Sequence, residues 1–85
     1  MIPGDNKQRQ AFWQQMMQQY TAAEVEKALH TLPVEVEKVL RLYYFNAMSF
    51  SDIADKMDRS ISVIYNHHNR GIYKLWQYFN QSPRS

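Results

Sequence analysis

The chain has 85 residues, 45% of them apolar and 21% charged, with a net charge of +2 and no cysteine. Those figures describe one small domain with a modest core, and they exclude disulfides, thiolate metal sites and cysteine nucleophiles. No apolar run nears the roughly 18 residues of a membrane span, and no signal-peptide pattern opens the chain, so a cytoplasmic location is expected.

Pro3-Gly4 opposes early helix, which predicts a frayed start over Met1–Asn6. Asp5 or Asn6 can cap the first helix. Lys7–Tyr20 is Gln-rich, with Phe12, Met16 and Tyr20 at i, i+4 and i+8 and Trp13 and Met17 beside them. That spacing predicts an amphipathic helix with a polar back. Thr21 and Glu24 have capping-box spacing, so a second helix is expected from there to about His30, on a Val25/Ala28/Leu29/Leu32 stripe. Pro33 suits the first position of a third helix. Val36, Val39, Leu40, Tyr43 and Ala47 carry that helix to about Asn46.

Phe50, Ile53, Ala54 and Met57 fall at i, i+3, i+4 and i+7 behind Ser49, which predicts a short fourth helix over Phe50–Met57. Asp58-Arg59-Ser60 breaks the pattern. Ser60 can cap a fifth helix running from Ile61 to about Asn80, before a tail at Gln81–Ser85. Short helix, three-residue turn and longer helix make a helix-turn-helix layout, whose second helix is shaped for a major groove. At about 100° per residue, Ile61, Ile64, His68, Gly71, Ile72, Leu75 and Phe79 cluster on one arc of that helix. Ser62, Asn66, Asn69, Arg70 and Tyr73 lie opposite, flanked by Val63 and His67 on one side and Tyr65 on the other. Amide, hydroxyl and guanidinium groups read base edges and phosphates. Asn can pair bidentately with adenine, and Arg with guanine or a phosphate.

The distribution of charge agrees. Residues 59–85 carry Arg59, Arg70, Lys74 and Arg84 with no acid, whereas residues 33–58 carry three Lys/Arg against five Asp/Glu. A metal site at His67-His68 is disfavoured, because adjacent helical positions point about 100° apart. His68 reads as a core histidine. Asp52 and Asp55 read as a solvated face that complements a helix N-terminus. No glycine-rich phosphate loop, serine elbow or zinc-protease motif appears, so neither catalysis nor a cofactor is expected.

The segment LPVEVEKVLRLYYFNAMSFSDIADKMDRSISVIYNHHNRGIYKL resembles the C-terminal promoter-reading domain, region 4, of bacterial sigma-70-type factors, most of all the extracytoplasmic-function subgroup. Leu32-Pro33, Val39-Leu40-Arg41-Leu42, the aromatic run Tyr43-Tyr44-Phe45, Phe50-x-x-Ile53-Ala54 and Arg70-x-x-x-Lys74-Leu75 carry the likeness, over about residues 22–78. The resemblance implies an all-α domain of four helices over residues 22–80, preceded by a linker or N-terminal helix over residues 1–21 and followed by the tail at 81–85. It implies recognition of the −35 element of a promoter in double-stranded DNA, docking on the flap of the RNA polymerase β subunit, and control by an anti-sigma protein.

Carried over by position, the resemblance makes Val63, Tyr65, Asn66, Asn69 and Arg70 the base-reading candidates. Ser60 and Ser62 stand at the helix start, where backbone N–H groups hold a phosphate. Phe50 and Ser51 stand where the family touches the DNA backbone with its first helix. Arg59 brings a positive charge near the phosphates, and His67 is a polar group on or beside the DNA face.

Some positions depart from the family pattern. Asp58 stands in place of the turn glycine, Arg59 in place of a branched apolar residue, and His68 in place of an apolar core residue. Tyr65 and His67 occupy positions that many members fill with basic residues, which predicts weak binding for the isolated domain. Nothing here resembles the region that reads the −10 element and opens the duplex, so a fragment or stand-alone relative is expected. Two other readings share the layout: the effector domain of a response-regulator transcription factor, or an interaction module for polymerase flap or an anti-sigma protein. The Phe12/Trp13/Met16/Met17 stripe has no seat in a four-helix domain. It is expected to pack on the domain, form a dimer or cover a partner surface.

Overall fold

A computed structural model describes residues 4–80, all of whose regular elements are α-helices: α1 Asn6–Gln19, α2 Ala22–Leu29, α3 Val34–Tyr44, α4 Phe50–Met57 and α5 Ile61–Asn80. Met1–Pro3 and the tail at Gln81–Ser85 lie outside the described residues.

Local chemistry explains where most helices begin. The Asp5 side chain accepts from Gln8 N–H and starts α1, so Asn6 is helical and not part of a frayed start. Thr21 accepts from Glu24 N–H while the Glu24 carboxylate accepts from Thr21 N–H, a complete capping box. Ser49 accepts from Asp52 N–H and Ser60 from Val63 N–H. Each cap of this kind contributes about 1 kcal/mol by satisfying a donor that the helix leaves free.

Four further boundaries differ from those the residue spacing predicts. Tyr20 is extended (φ −119°, ψ 154°) and ends α1, because the Thr21 cap of α2 needs extended backbone around it. His30 closes α2 as its C-cap. Pro33 has ψ 146°, so it precedes α3 and Val34 is the first helical residue. The third helix stops at Tyr44. Asn46 N–H reaches back to Arg41 O at 3.2 Å, Met48 N–H to Leu42 O at 3.1 Å, and Ala47 takes a left-handed conformation (φ 56°) to turn the chain toward α4. Ala47 is therefore exposed in a loop and not part of the apolar stripe.

The core has two parts. The larger gathers Trp13, Met16, Val25, Ala28, Leu29, Leu32, Val36, Leu40, Ile72 and Leu75 from α1, α2, α3, the C-terminal half of α5 and the loop after α2. The smaller joins Val39 and Leu42 of α3 to Ile53 and Ala54 of α4 and Ile64 of α5. One face of α3 thus serves the first cluster and an adjacent face the second. The N-terminal stripe packs on the domain: Trp13 and Met16 are buried, and the Trp13 ring stacks on Tyr44 at 4.2 Å. Met17, one residue further round, is exposed.

Gly71 sits where α3 and α5 cross. A Cβ there would stand 2.8 Å from Leu40 Cδ1 and 2.9 Å from Val36 Cγ1. The close approach explains a glycine in mid-helix, where it costs about 1 kcal/mol relative to alanine.

Arg41 ties α3 to α2. It meets both Glu26 oxygens through its two terminal nitrogens, at 3.0 and 2.7 Å, and donates to Glu37 from Nε at 2.9 Å. The arrangement holds the Glu26 carboxyl below its ordinary range, mainly through the Arg41 hydrogen bond, and holds the Arg41 guanidinium above its own.

Candidate nucleic-acid interface

The interface is built on α4, a turn and α5. Met57 ends α4, and Asp58 comes next in the left-handed region (φ 57°, ψ 51°). Arg59 N–H returns to Ala54 O at 3.0 Å and Asp58 N–H to Asp55 O at 3.4 Å, the two bonds of a Schellman ending. Aspartate tolerates this conformation better than most residues, so the turn forms without its usual glycine. Ile53 of α4 and Ile64 of α5 are both fully buried against Val39, and they seat α5 across α4.

That seating decides which α5 side chains face outward. Ser62, Asn66, Arg70 and Tyr73 of the polar arc are exposed, as the helical wheel predicts, and so is Val63 beside it; Asn69, which the wheel also turns outward, is half-buried because Arg9 of α1 covers it. Ile64, His68, Gly71, Ile72 and Leu75 are buried. Ile61 corrects the wheel: its spacing assigns it to the inner arc, but it is 54% exposed. It lies in the first turn of α5, and the smaller cluster takes its α5 contribution from Ile64 alone. Phe79, also assigned to that arc, packs only partly buried on the larger cluster.

The remaining candidates are held by neighbours. Phe50 is half-buried, with its ring stacked on Tyr43 at 4.4 Å and edge-on to Tyr65 at 5.6 Å. Ser51 is exposed beside it. The Ser60 hydroxyl caps α5 through Val63 N–H. Tyr65, His67 and Asn69 are half-buried.

Two residues shape this face although no sequence signal marks them. Glu35, in the first turn of α3, accepts from Arg59 Nε at 2.8 Å and lies 3.5 Å from His67 Nε2. The Arg59 hydrogen bond holds the Glu35 carboxyl below its ordinary range, and Glu35 in turn raises Arg59. Arg59 is thus already paired with an acid of its own chain. Arg70 has no ion pair among the described residues.

The second residue is Arg9, on what reads as the polar back of α1. It is only 9% exposed. Its Nε donates to Asn69 Oδ1 at 2.9 Å, and its guanidinium lies over the Tyr65 ring at 5.8 Å. Nη1 is buried with no partner among the described residues.

Behind the face, His68 sits between the two core clusters. Tyr43, Tyr44 and Phe50 surround it, and its Nε2 is 2.6 Å from the Tyr44 hydroxyl. Burial pushes the His68 imidazole down to about 4, so it is neutral at ordinary pH. Among the described residues no group of three or more His, Asp or Glu converges as metal ligands would. No helix there is long and apolar enough to cross a membrane.

A short capped helix, a left-handed turn and a long helix with its polar face outward define a helix-turn-helix protein of the DNA-binding kind. The family model described as Sigma-70, region 4 matches residues 22–75, more than half of the chain, and the chain belongs to that family. Its members bind promoter DNA and RNA polymerase, and the family is non-enzymatic. No curated protein and no solved structure matches the chain.

Proposed function

We propose that the chain recognises the −35 element of promoter DNA as the region 4 domain of a sigma factor, with α5 in the major groove. One observation carries the reading. Within the matched family segment, Ser62, Asn66 and Arg70 project from one exposed face of α5, while Ile53 and Ile64 lock the opposite face. Asn66 and Arg70 supply the contacts to base edges. Tyr65, Asn69 and Val63 lie beside them, and Ser51, Phe50, Ser60 and Arg59 flank the phosphates. Residues 22–80 form the DNA-binding unit, α1 buttresses it, and the protein acts in the cytoplasm with the β flap of RNA polymerase and an anti-sigma protein as its other partners.

Arg70→Ala tests the reading. The variant is expected to lose roughly 1–3 kcal/mol of specific binding, measured by fluorescence anisotropy on a duplex selected by the wild-type chain. Unchanged affinity removes the assignment.

The Glu35 carboxylate favours a second reading. It neutralises Arg59, which lowers the attraction of this face for phosphate. A module that binds polymerase flap or an anti-sigma protein with little DNA contact fits that observation. Flap binding without salt-dependent DNA affinity selects it, because phosphate contacts give a salt slope.

A further inference from the structure

The side-chain amide of Asn69 is the part of the α5 face whose chemistry the structure restricts most. Arginine carries only donors, so the Asn69 atom 2.9 Å from Arg9 Nε is the carbonyl oxygen. The same oxygen lies 3.3 Å from His68 Nδ1. Two lone pairs would repel there, so Nδ1 carries the imidazole proton and donates to Oδ1. Nε2 is then the acceptor, and the Tyr44 hydroxyl at 2.6 Å donates to it. Burial holds the Tyr44 phenol in its protonated form, as that role requires. The chain of donors runs from Tyr44 through His68 to Asn69, and Arg9 closes it from α1.

Both lone pairs of Oδ1 are thereby occupied. The amino nitrogen Nδ2 has no partner among the described residues and is not among their buried unpartnered atoms, so it keeps solvent contact. Asn66 and Arg70, exposed on the same helix, lie three positions before it and one after it.

We infer that Arg9 and His68 fix Asn69 as a donor-only reader, which prefers guanine, whose N7 and O6 both accept, over adenine, whose N7 accepts but whose N6 amino group then meets no acceptor. The inference rests on the DNA-binding reading above. Bidentate pairing with adenine needs the asparagine oxygen to accept from N6 while the nitrogen donates to N7. Here that oxygen is already committed. Arg9 is thus a positioning residue for base choice, although it stands on α1, outside the helix-turn-helix.

Two experiments on the full chain test this. In the first, a randomised duplex pool is selected with wild type, Asn69→Ala and Arg9→Met, the last keeping an apolar stem while removing the donor. Wild type is expected to enrich guanine over adenine about fivefold at one position. Asn69→Ala levels that position alone, and Arg9→Met admits adenine there. Adenine preferred by wild type, or no positional change in Asn69→Ala, overturns the inference and leaves the DNA reading standing. No enriched sequence from wild type overturns both.

The second experiment needs no DNA and no variant. Nitrogen-15 NMR of the free protein is expected to show His68 as the Nδ1–H tautomer. The Nε2–H tautomer breaks the donor chain and overturns the inference by itself.

Discussion

The Tyr44 hydroxyl meets His68 Nε2 at 2.6 Å at the place where the two apolar clusters of the core come together. The histidine there is fully buried and is held neutral by that burial. Its protonation therefore opposes folding.

Acid should accordingly destabilise the protein well above the carboxylate range. The imidazole titrates at 6.5 when unfolded and at about 4 when folded. The folded state binds fewer protons across that window, so stability is fully present above pH 6.5 and is lost as pH falls toward 4. The full loss is on the order of 3 kcal/mol. Glu26 and Glu35, both lowered from 4.5, add their losses below that value. Urea melts between pH 7 and 5 are expected to slope downward in wild type and to flatten in His68→Gln. Parallel slopes in the two proteins would contradict the buried neutral imidazole.

Gly71→Ala should destabilise the fold. The new methyl gains about 1 kcal/mol of helix propensity, but it meets Leu40 and Val36 at 2.8 and 2.9 Å, and overpacking of that kind costs about 1–3 kcal/mol. A net loss of about 1 kcal/mol in chemical denaturation is expected. A gain in stability would show that α3 and α5 move apart without cost.

Asp58→Gly acts in the opposite direction. Asp58 holds φ 57° with a side chain present, and glycine removes the steric cost. Thermal melts are expected to show a gain of roughly 0.5–1 kcal/mol. A loss of stability would mean that the carboxylate is needed in the turn.

Glu35→Gln should strengthen DNA binding. The change releases Arg59 and His67 from their acid. The plot of log affinity against log salt is expected to steepen by about 0.9, the value for one added phosphate contact. An unchanged slope would place Arg59 away from the DNA backbone.

Much of the architecture is legible in the residues themselves. Thr21 with Glu24, Ser49 and Ser60 mark three helix starts by local hydrogen bonding, and the stripe through Ile53, Ile64, Ile72 and Leu75 shows which faces turn inward. Asp58 stands between two such stripes, so its turn is visible too. Ile61 obeys the same periodicity yet is exposed, because period alone does not show where the partner helix ends. The end of α3 is hidden as well. Ala47 continues the apolar spacing, and only the need to turn into α4 drives it into left-handed backbone.

The pairs that shape the interface are out of reach for a different reason. Arg9 and Asn69 are 60 positions apart, and Arg59 and Glu35 are 24 apart. Charged and amide side chains on polar helix faces leave no periodic trace of the partner they will meet.

The long helix α5 packs against each of the other four helices. A tilt or slide of that helix would disturb packing in all four places. Moving α5 to fit a partner therefore costs packing in four places, which favours accommodation by bending or widening of the nucleic acid over displacement of the helix.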